Sequence, residues 1–324
     1  MTSTIIPQLP ATFASAENAL AAIERAREYA DASHAPGTRR AYASALRGFQ
    51  AWCATCDVES LPAAPQTVVL YVTHLADFSK LATIRRHLAA IAHAHRERGL
   101  ESPVAHEVVR RVVRGIARTN GAAQRRKAAI TLDVLRAMLL AVRGHDLKVK
   151  RDRAILLLGF AGALRRSELA ALDFEDLGWS REGLRVTIRR SKTDQTGLGS
   201  EIAVPYVATQ SLCAARAVRL WLEATGITTG PVFRTFTLRS ALSDRRIDGR
   251  DVANLVHTLA ARAGVEGDFS AHSLRAGFVT SAAKAKVSLD SIARTTRHKS
   301  LTVLMGYVRP AQAFDDVALT SIIA

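Results

Sequence analysis

Arginines, histidines, a lysine and a tyrosine recur in this chain at spacings that could serve phosphoryl transfer, and that chemistry takes three things. A nucleophile must stand in line with phosphorus, positive charge must surround the five-coordinate phosphorus, and the departing alkoxide must receive a proton. Metal ions held by carboxylates supply these by one route, and arginines with a side-chain nucleophile by another. This chain is better supplied for the second. His272 and Arg275 stand three apart in His-Ser-Leu-Arg at a helix start, which puts both on one face. Ser270 just before them is a candidate N-cap, so the helix dipole also favours an anion there. Arg165 emerges from an apolar segment and needs an anionic partner, and Glu168 is three residues on. Lys192 lies in a polar turn between two strand-like segments, from which it can be carried into a cleft to donate a proton. Tyr307 follows His298 by nine residues on a short helix. With an ordinary pKa of about 10, a tyrosine nucleophile needs cationic neighbours and a proton acceptor.

Each segment alone has a plainer reading. His-x-x-Arg is equally a solvated helix face, Arg165 with Glu168 a structural pair, Lys192 a solvated hairpin tip and Tyr307 a core tyrosine. Asp173, Glu175 and Asp176 read as exposed turn and strand-edge charges rather than a metal site. Cys53-x-x-Cys56 sits at a helix end without a second cysteine pair and reads as structural. His87, His93 and His95 share a helix with several arginines, miss the spacing of a metal pair, and read as a DNA-facing or solvated surface. No metal or cofactor is expected.

The elements that must position these residues follow from composition and periodicity. The chain has 324 residues, 48% hydrophobic and 23% charged, which suits two globular domains. A net charge of +16, carried mostly by arginine, calls for a polyanionic partner. The most apolar stretch, Ala154 to Leu164, is about half the length needed to span a bilayer, no export signal is apparent, and three cysteines make no disulfide framework; a cytoplasmic protein is expected. Residues 1–120 read as a helical bundle. It has helices over 15–32, from Pro36 with Tyr42, Leu46 and Phe49 inward, over 67–78 and 81–98, and from Pro103. Arg39, Arg40, Arg85 and Arg86 on two of these helices are candidate DNA contacts. A linker over 121–130 leads to a second domain, 131–324. Its helices run over 132–142 and 152–163, its strands over 184–190 and 201–206. Further helices follow over 209–224, 250–263, 272–285, 288–296 and 300–307, and an apolar last helix over about 312–322. The fold class expected is mainly α: an N-terminal helical bundle plus a mostly helical domain with a small antiparallel sheet.

Arg165 with Ser167 and Glu168, Lys192 in a hairpin, His272-x-x-Arg275, His298 and Tyr307 occur in one order, and that ordered set resembles the tyrosine recombinase, or phage integrase-type, family. The Thr-Arg-Arg-Ala-Tyr helix with Phe49 and Trp52 extends the resemblance into the first domain, which looks like the family's SAM-like core-binding domain. The layout is similar to Cre-like and Xer-like members, without an added arm-binding domain. The resemblance implies that Tyr307 attacks the phosphate to give a 3′-phosphotyrosyl link, Arg165 and Arg275 clamp the non-bridging oxygens, and Lys192 protonates the leaving 5′-oxygen. It further implies that His272 acts in proton transfer or bonds the phosphate, that His298 donates to a phosphate oxygen, and that Glu168 orients the site. Partners implied are double-stranded DNA with inverted repeats and a tetramer in the synaptic complex, the last helix docking on a neighbouring protomer. One departure stands out: Thr296-Arg297-His298 where the family often has Leu-Gly-His. Either the turn adopts a conformation that arginine allows, or Arg297 itself contacts DNA. A type IB topoisomerase-like enzyme and a non-catalytic DNA-binding regulator remain as alternatives.

Overall fold

The computed structural model describes residues 16–121, 127–189, 199–298 and 300–311. The chain divides into two compact units, 1–125 and 126–324.

In the first unit, α1 (Ala16–Ala32) precedes α2 (Pro36–Thr55), α3 (Pro65–Ala76), α4 (Leu81–Glu97) and α5 (Glu107–Thr119). Pro36 and Pro65 open their helices, where a missing N–H is no loss. Apolar residues at helical spacing then build one core: Phe49 and Cys53 from α2, Val68, Tyr71, Val72 and Leu75 from α3, Ile84, Leu88 and Ile91 from α4, Val109 from α5. Arg39, Arg40, Arg85 and Arg86 are all exposed, on α2 and α4, which pack together. Two of the three α4 histidines depart from the expected solvated face. His95 is buried, accepting from the Ala63 N–H (2.9 Å) through Nε2 and bonding the Ile91 carbonyl (2.8 Å) through Nδ1. His87 bonds the Tyr71 hydroxyl at 2.8 Å. Both tie neighbouring segments together, and periodicity cannot distinguish that use from a wet surface.

The second unit holds α6 (Leu132–Ala141), α7 (Leu147–Ala161), α8 (Arg166–Ala171), β1 (Leu177–Trp179), β2 (Gly183–Ile188), β3 (Ser200–Pro205), α9 (Ala214–Thr225), β4 (Arg234–Phe236), β5 (Leu242–Arg246), α10 (Gly249–Arg262), α11 (His272–Lys284), α12 (Leu289–Thr296) and α13 (Leu301–Ala311). Helix α7 is apolar on nearly every side because α6, α9, α10 and α11 surround it. The antiparallel sheet runs β1-β2-β3, with Leu184 opposite Val204 and Val186 opposite Ile202 facing the core. A second antiparallel pair, β4-β5, is short and rich in polar residues, so its alternation left no signal. The acidic cluster after α8 is not the exposed turn expected: Asp176 is buried and pairs with Arg189 (2.6 Å), while Asp173 holds Arg189 and Arg246. Three carboxylates and two arginines thus pin the base of the β2–β3 hairpin and the end of β5, with Glu175 accepting from the Gly230 N–H. No helix among the described residues is long and apolar enough to cross a membrane.

Candidate active site

Arg275 is the centre. It lies one turn into α11 and is only 2% exposed, a rare state for an arginine. The helix is brought against the chain by Gly277, where an added Cβ would sit 1.7 Å from the Ile130 carbonyl oxygen. Ile130 donates its N–H to the Ser273 carbonyl (2.9 Å), so that close approach is also hydrogen-bonded. The expected Ser270 cap is not used. Ala271 is the N-cap, and Ser270 instead donates its N–H to Ser273 Oγ (2.9 Å). Arg275 Nη1 donates to the Ala163 carbonyl (2.8 Å) at the turn after α7, a turn made by Ala163 at φ 45°. Its Nη2 is buried with no hydrogen-bond partner among the described residues. Burial, helped by Arg165 and Arg297, pulls its pKa down to about 10.

Two residues past Ala163, Arg165 is the N-cap of α8. Glu168 reaches back to the Arg165 backbone N–H (2.9 Å) and accepts from its Nη1 (2.5 Å). Glu168 is 3% exposed. Its second oxygen accepts from Arg297 Nη2 at 2.6 Å. One carboxylate therefore joins two arginines 132 residues apart in sequence (297 − 165). Arg297, expected at DNA, has its side chain turned inward and 12% exposed. Its Nε and Nη1 have no hydrogen-bond partner among the described residues. Nor does the turn take a conformation suited to arginine: Arg297 sits at φ 55°, ψ 42°, the left-handed region that glycine favours. The Glu168 pair offsets that cost.

Helix α13 packs on α11 through Leu304 and Val308, which share a core with Val279 and Ala283 of α11 and Ile292 of α12. That contact places the Tyr307 hydroxyl 3.1 Å from His272 Nε2. The rings of His272 and His298 lie 6.4 and 6.3 Å from that of Tyr307. Tyr307 is also near enough to Arg275 to raise its pKa, against the larger opposing effects. His298 is depressed to about 4, first by burial and then by Arg275, Arg165, His272 and Arg297. Its Nδ1 lies 2.7 Å from the hydroxyl of Thr296, a fully buried residue. Sequence reading missed Thr296, the Ala163 carbonyl and the Arg297–Glu168 bridge. Only the arginine in a glycine's place gave any hint.

Of the seven candidate catalytic residues, six converge here within one chain: Arg165, Glu168, His272, Arg275, His298 and Tyr307. Lys192 lies outside the described residues, as does the segment 312–322. Three guanidiniums face one carboxylate, leaving a surplus of positive charge and buried N–H donors without partners. Such a cluster suits a tetrahedral oxyanion, with a phenol beside it.

The phage integrase family profile matches residues 128–313, more than half the chain. An integrase/recombinase XerD homologue of Selenomonas ruminantium is 36% identical over 299 residues, spanning 91% of this chain and 88% of that protein. The recombinase Cre of Escherichia phage P1 is 27% identical over 291 residues, 82% of each. Among solved structures, a lambda integrase (75–356) dimer bound to a COC′ core site aligns with TM-score 0.61 at 16% identity, over 88% of this chain and 93% of that one. A lambda integrase tetramer bound to a Holliday junction aligns with TM-score 0.60, also at 16% identity, over 85% of this chain and 72% of that one. The likeness to the solved structures is one of fold; the match to the family profile and the identity to the XerD homologue rest on sequence. The chain belongs to the phage integrase family, the tyrosine recombinases.

Proposed function

We propose that this recombinase cleaves and rejoins DNA with Tyr307 as nucleophile, through a 3′-phosphotyrosyl intermediate, and needs no metal or cofactor. Arg165 and Arg275 hold the non-bridging oxygens, with Glu168 orienting Arg165. Phosphorus gains negative charge as the phenol attacks, and fixed guanidiniums answer it without reorganising. His272, 3.1 Å from the phenol, assists its deprotonation or bonds the phosphate. Lys192 protonates the departing 5′-oxygen. The observation that carries this reading is the phenol meeting His272 beside a buried, partly unsatisfied Arg275.

The relatives' names and the basic helices α2 and α4 support double-stranded DNA as substrate, gripped through Arg39, Arg40, Arg85 and Arg86. Residues 1–120 form the core-binding domain, 121–130 the linker and 131–324 the catalytic domain. The protein acts in the cytoplasm. Four copies assemble on two duplexes, as the lambda integrase tetramer does on its junction. The apolar segment 312–322, with Phe314, Val317, Leu319 and Ile322, docks on the neighbouring copy in a head-to-tail ring.

The test is covalent trapping. Incubated with a nicked duplex carrying its inverted-repeat site, the protein should give an adduct that survives SDS, and Tyr307→Phe should give none. An adduct that persists in Tyr307→Phe would sink the assignment. Exchange between two tagged sites then separates recombination from mere relaxation.

A further inference from the structure

We propose that Thr296 fixes His298 as its Nδ1–H tautomer, so that His298 presents Nε2 to the site as a hydrogen-bond acceptor. This rests on the reading of the site as the place where Tyr307 attacks a phosphate.

The argument is a count of protons. The Thr296 hydroxyl carries one hydrogen and lies 2.7 Å from the Ile292 carbonyl oxygen. A carbonyl only accepts, so at that distance the hydroxyl hydrogen must lie between the two oxygens. The same hydroxyl lies 2.7 Å from His298 Nδ1. With its hydrogen already committed, Thr296 can only accept there, and Nδ1 must be the donor. His95 follows the same logic: its Nδ1 faces the Ile91 carbonyl, and its Nε2 accepts from a backbone N–H. A neutral imidazole has one N–H, so Nε2 of His298 keeps its lone pair.

His298 is neutral near pH 7. Burial and the guanidiniums of Arg275, Arg165 and Arg297, with His272, all disfavour the imidazolium. Glu168 is already held by two of those arginines, and Tyr307 completes the groups around the ring. A lone pair cannot bond a phosphate oxygen, which is itself an acceptor. The donor role that family resemblance implies for His298 is therefore closed to the resting enzyme. At rest Nε2 accepts a hydrogen bond, the phenol of Tyr307 and the guanidiniums being the donors at hand; donation to a phosphate oxygen requires the ring first to take up a proton from solvent. Thr296 is then a positioning residue acting through His298. Its own placement is secure, because it sits in the last turn of α12, fully buried, with its hydroxyl bonded back to that helix.

The direct test needs no variant. In wild-type protein carrying 15N-labelled histidine, the His298 signal, identified among ten histidines by its loss in His298→Asn, should show Nδ1 protonated and Nε2 bare at pH 7. A protonated Nε2 with bare Nδ1 overturns the proposal. Function is tested by single-turnover adduct formation on the nicked duplex across pH. Thr296→Val keeps the shape but removes the acceptor; its rate should fall about tenfold and its pH profile should move, on the scale known for losing the partner that orients a metal-bound histidine. Thr296→Ser should restore both. A Thr296→Val enzyme with wild-type rate and profile, or a Thr296→Ser enzyme as slow as Thr296→Val, overturns the acceptor role. The tautomer is read independently of adduct formation by Tyr307→Phe, so this inference and the nucleophile assignment fall separately.

Discussion

At the scale of single residues, the site is organised by Glu168. A buried carboxylate with one partner would be an ordinary ion pair; with Arg165 and Arg297 both bound, it fixes two guanidiniums while neutralising only one charge. Arg297 makes this bridge from a left-handed backbone that costs a non-glycine residue about 1 kcal/mol or more. Substituting glycine separates the two effects. Arg297→Gly should melt within a few degrees of wild type, since relief of the backbone opposes loss of the pair. Its rate of adduct formation should fall about tenfold or more, because Arg165 loses the carboxylate geometry that orients it. Thermal melting and single-turnover kinetics read the two separately, and a variant as fast as wild type would make Arg297 a bystander. Sequence reading marked Arg297 as odd and offered an arginine-compatible turn or a DNA contact, not an inward bridge. Nothing local in Thr-Arg-His reveals that a glutamate 129 residues earlier (297 − 168) waits for it.

At the scale of elements, the site exists because α11 lies unusually close to the segment before α6. Gly277 permits that approach, and the Ile130–Ser273 and Leu132–Ser281 hydrogen bonds hold it. Arg275 and His272 ride on the same helix, and α13 is packed against it. Gly277→Ala should therefore do the opposite of an ordinary helical glycine-to-alanine change, which gains about 0.5–1 kcal/mol. Overlap with the Ile130 carbonyl must push α11 outward, so we expect a loss of several kcal/mol in urea unfolding and no adduct; overpacking alone typically costs about 1–3 kcal/mol. An alanine variant of wild-type stability would show that the contact is not tight. The sequence located α11 and α13 from their periodicity, whereas the glycine's purpose depends on a neighbour 147 residues away (277 − 130).

At the scale of the whole molecule, the net charge of +16 and the exposed arginines of α2 and α4 suit a polyanion. Assembly is a separate matter, proposed above to rest on the apolar segment 312–322. Removing residues 312–324 should leave binding to a single half-site near the wild-type value while abolishing cooperative binding to a full site, as gel-shift titration would read. Unchanged cooperativity would refute docking in trans. Tyr307 lies before the cut, so single-site contact and assembly are separable.

By itself the sequence determined the chemistry on offer and most of the elements. Residue types in order supplied a phenol, two histidines and the arginines, and apolar spacing marked the helices that carry them, because both are properties of short stretches of chain. It could not decide which histidines are structural, why an arginine occupies a glycine-like turn, or that the acidic cluster after α8 anchors a hairpin rather than facing water. Those depend on which atoms meet across a hundred residues or more. Burial then sets the consequence of each meeting, since a charge or a lone pair out of water acts only through the partners the fold provides.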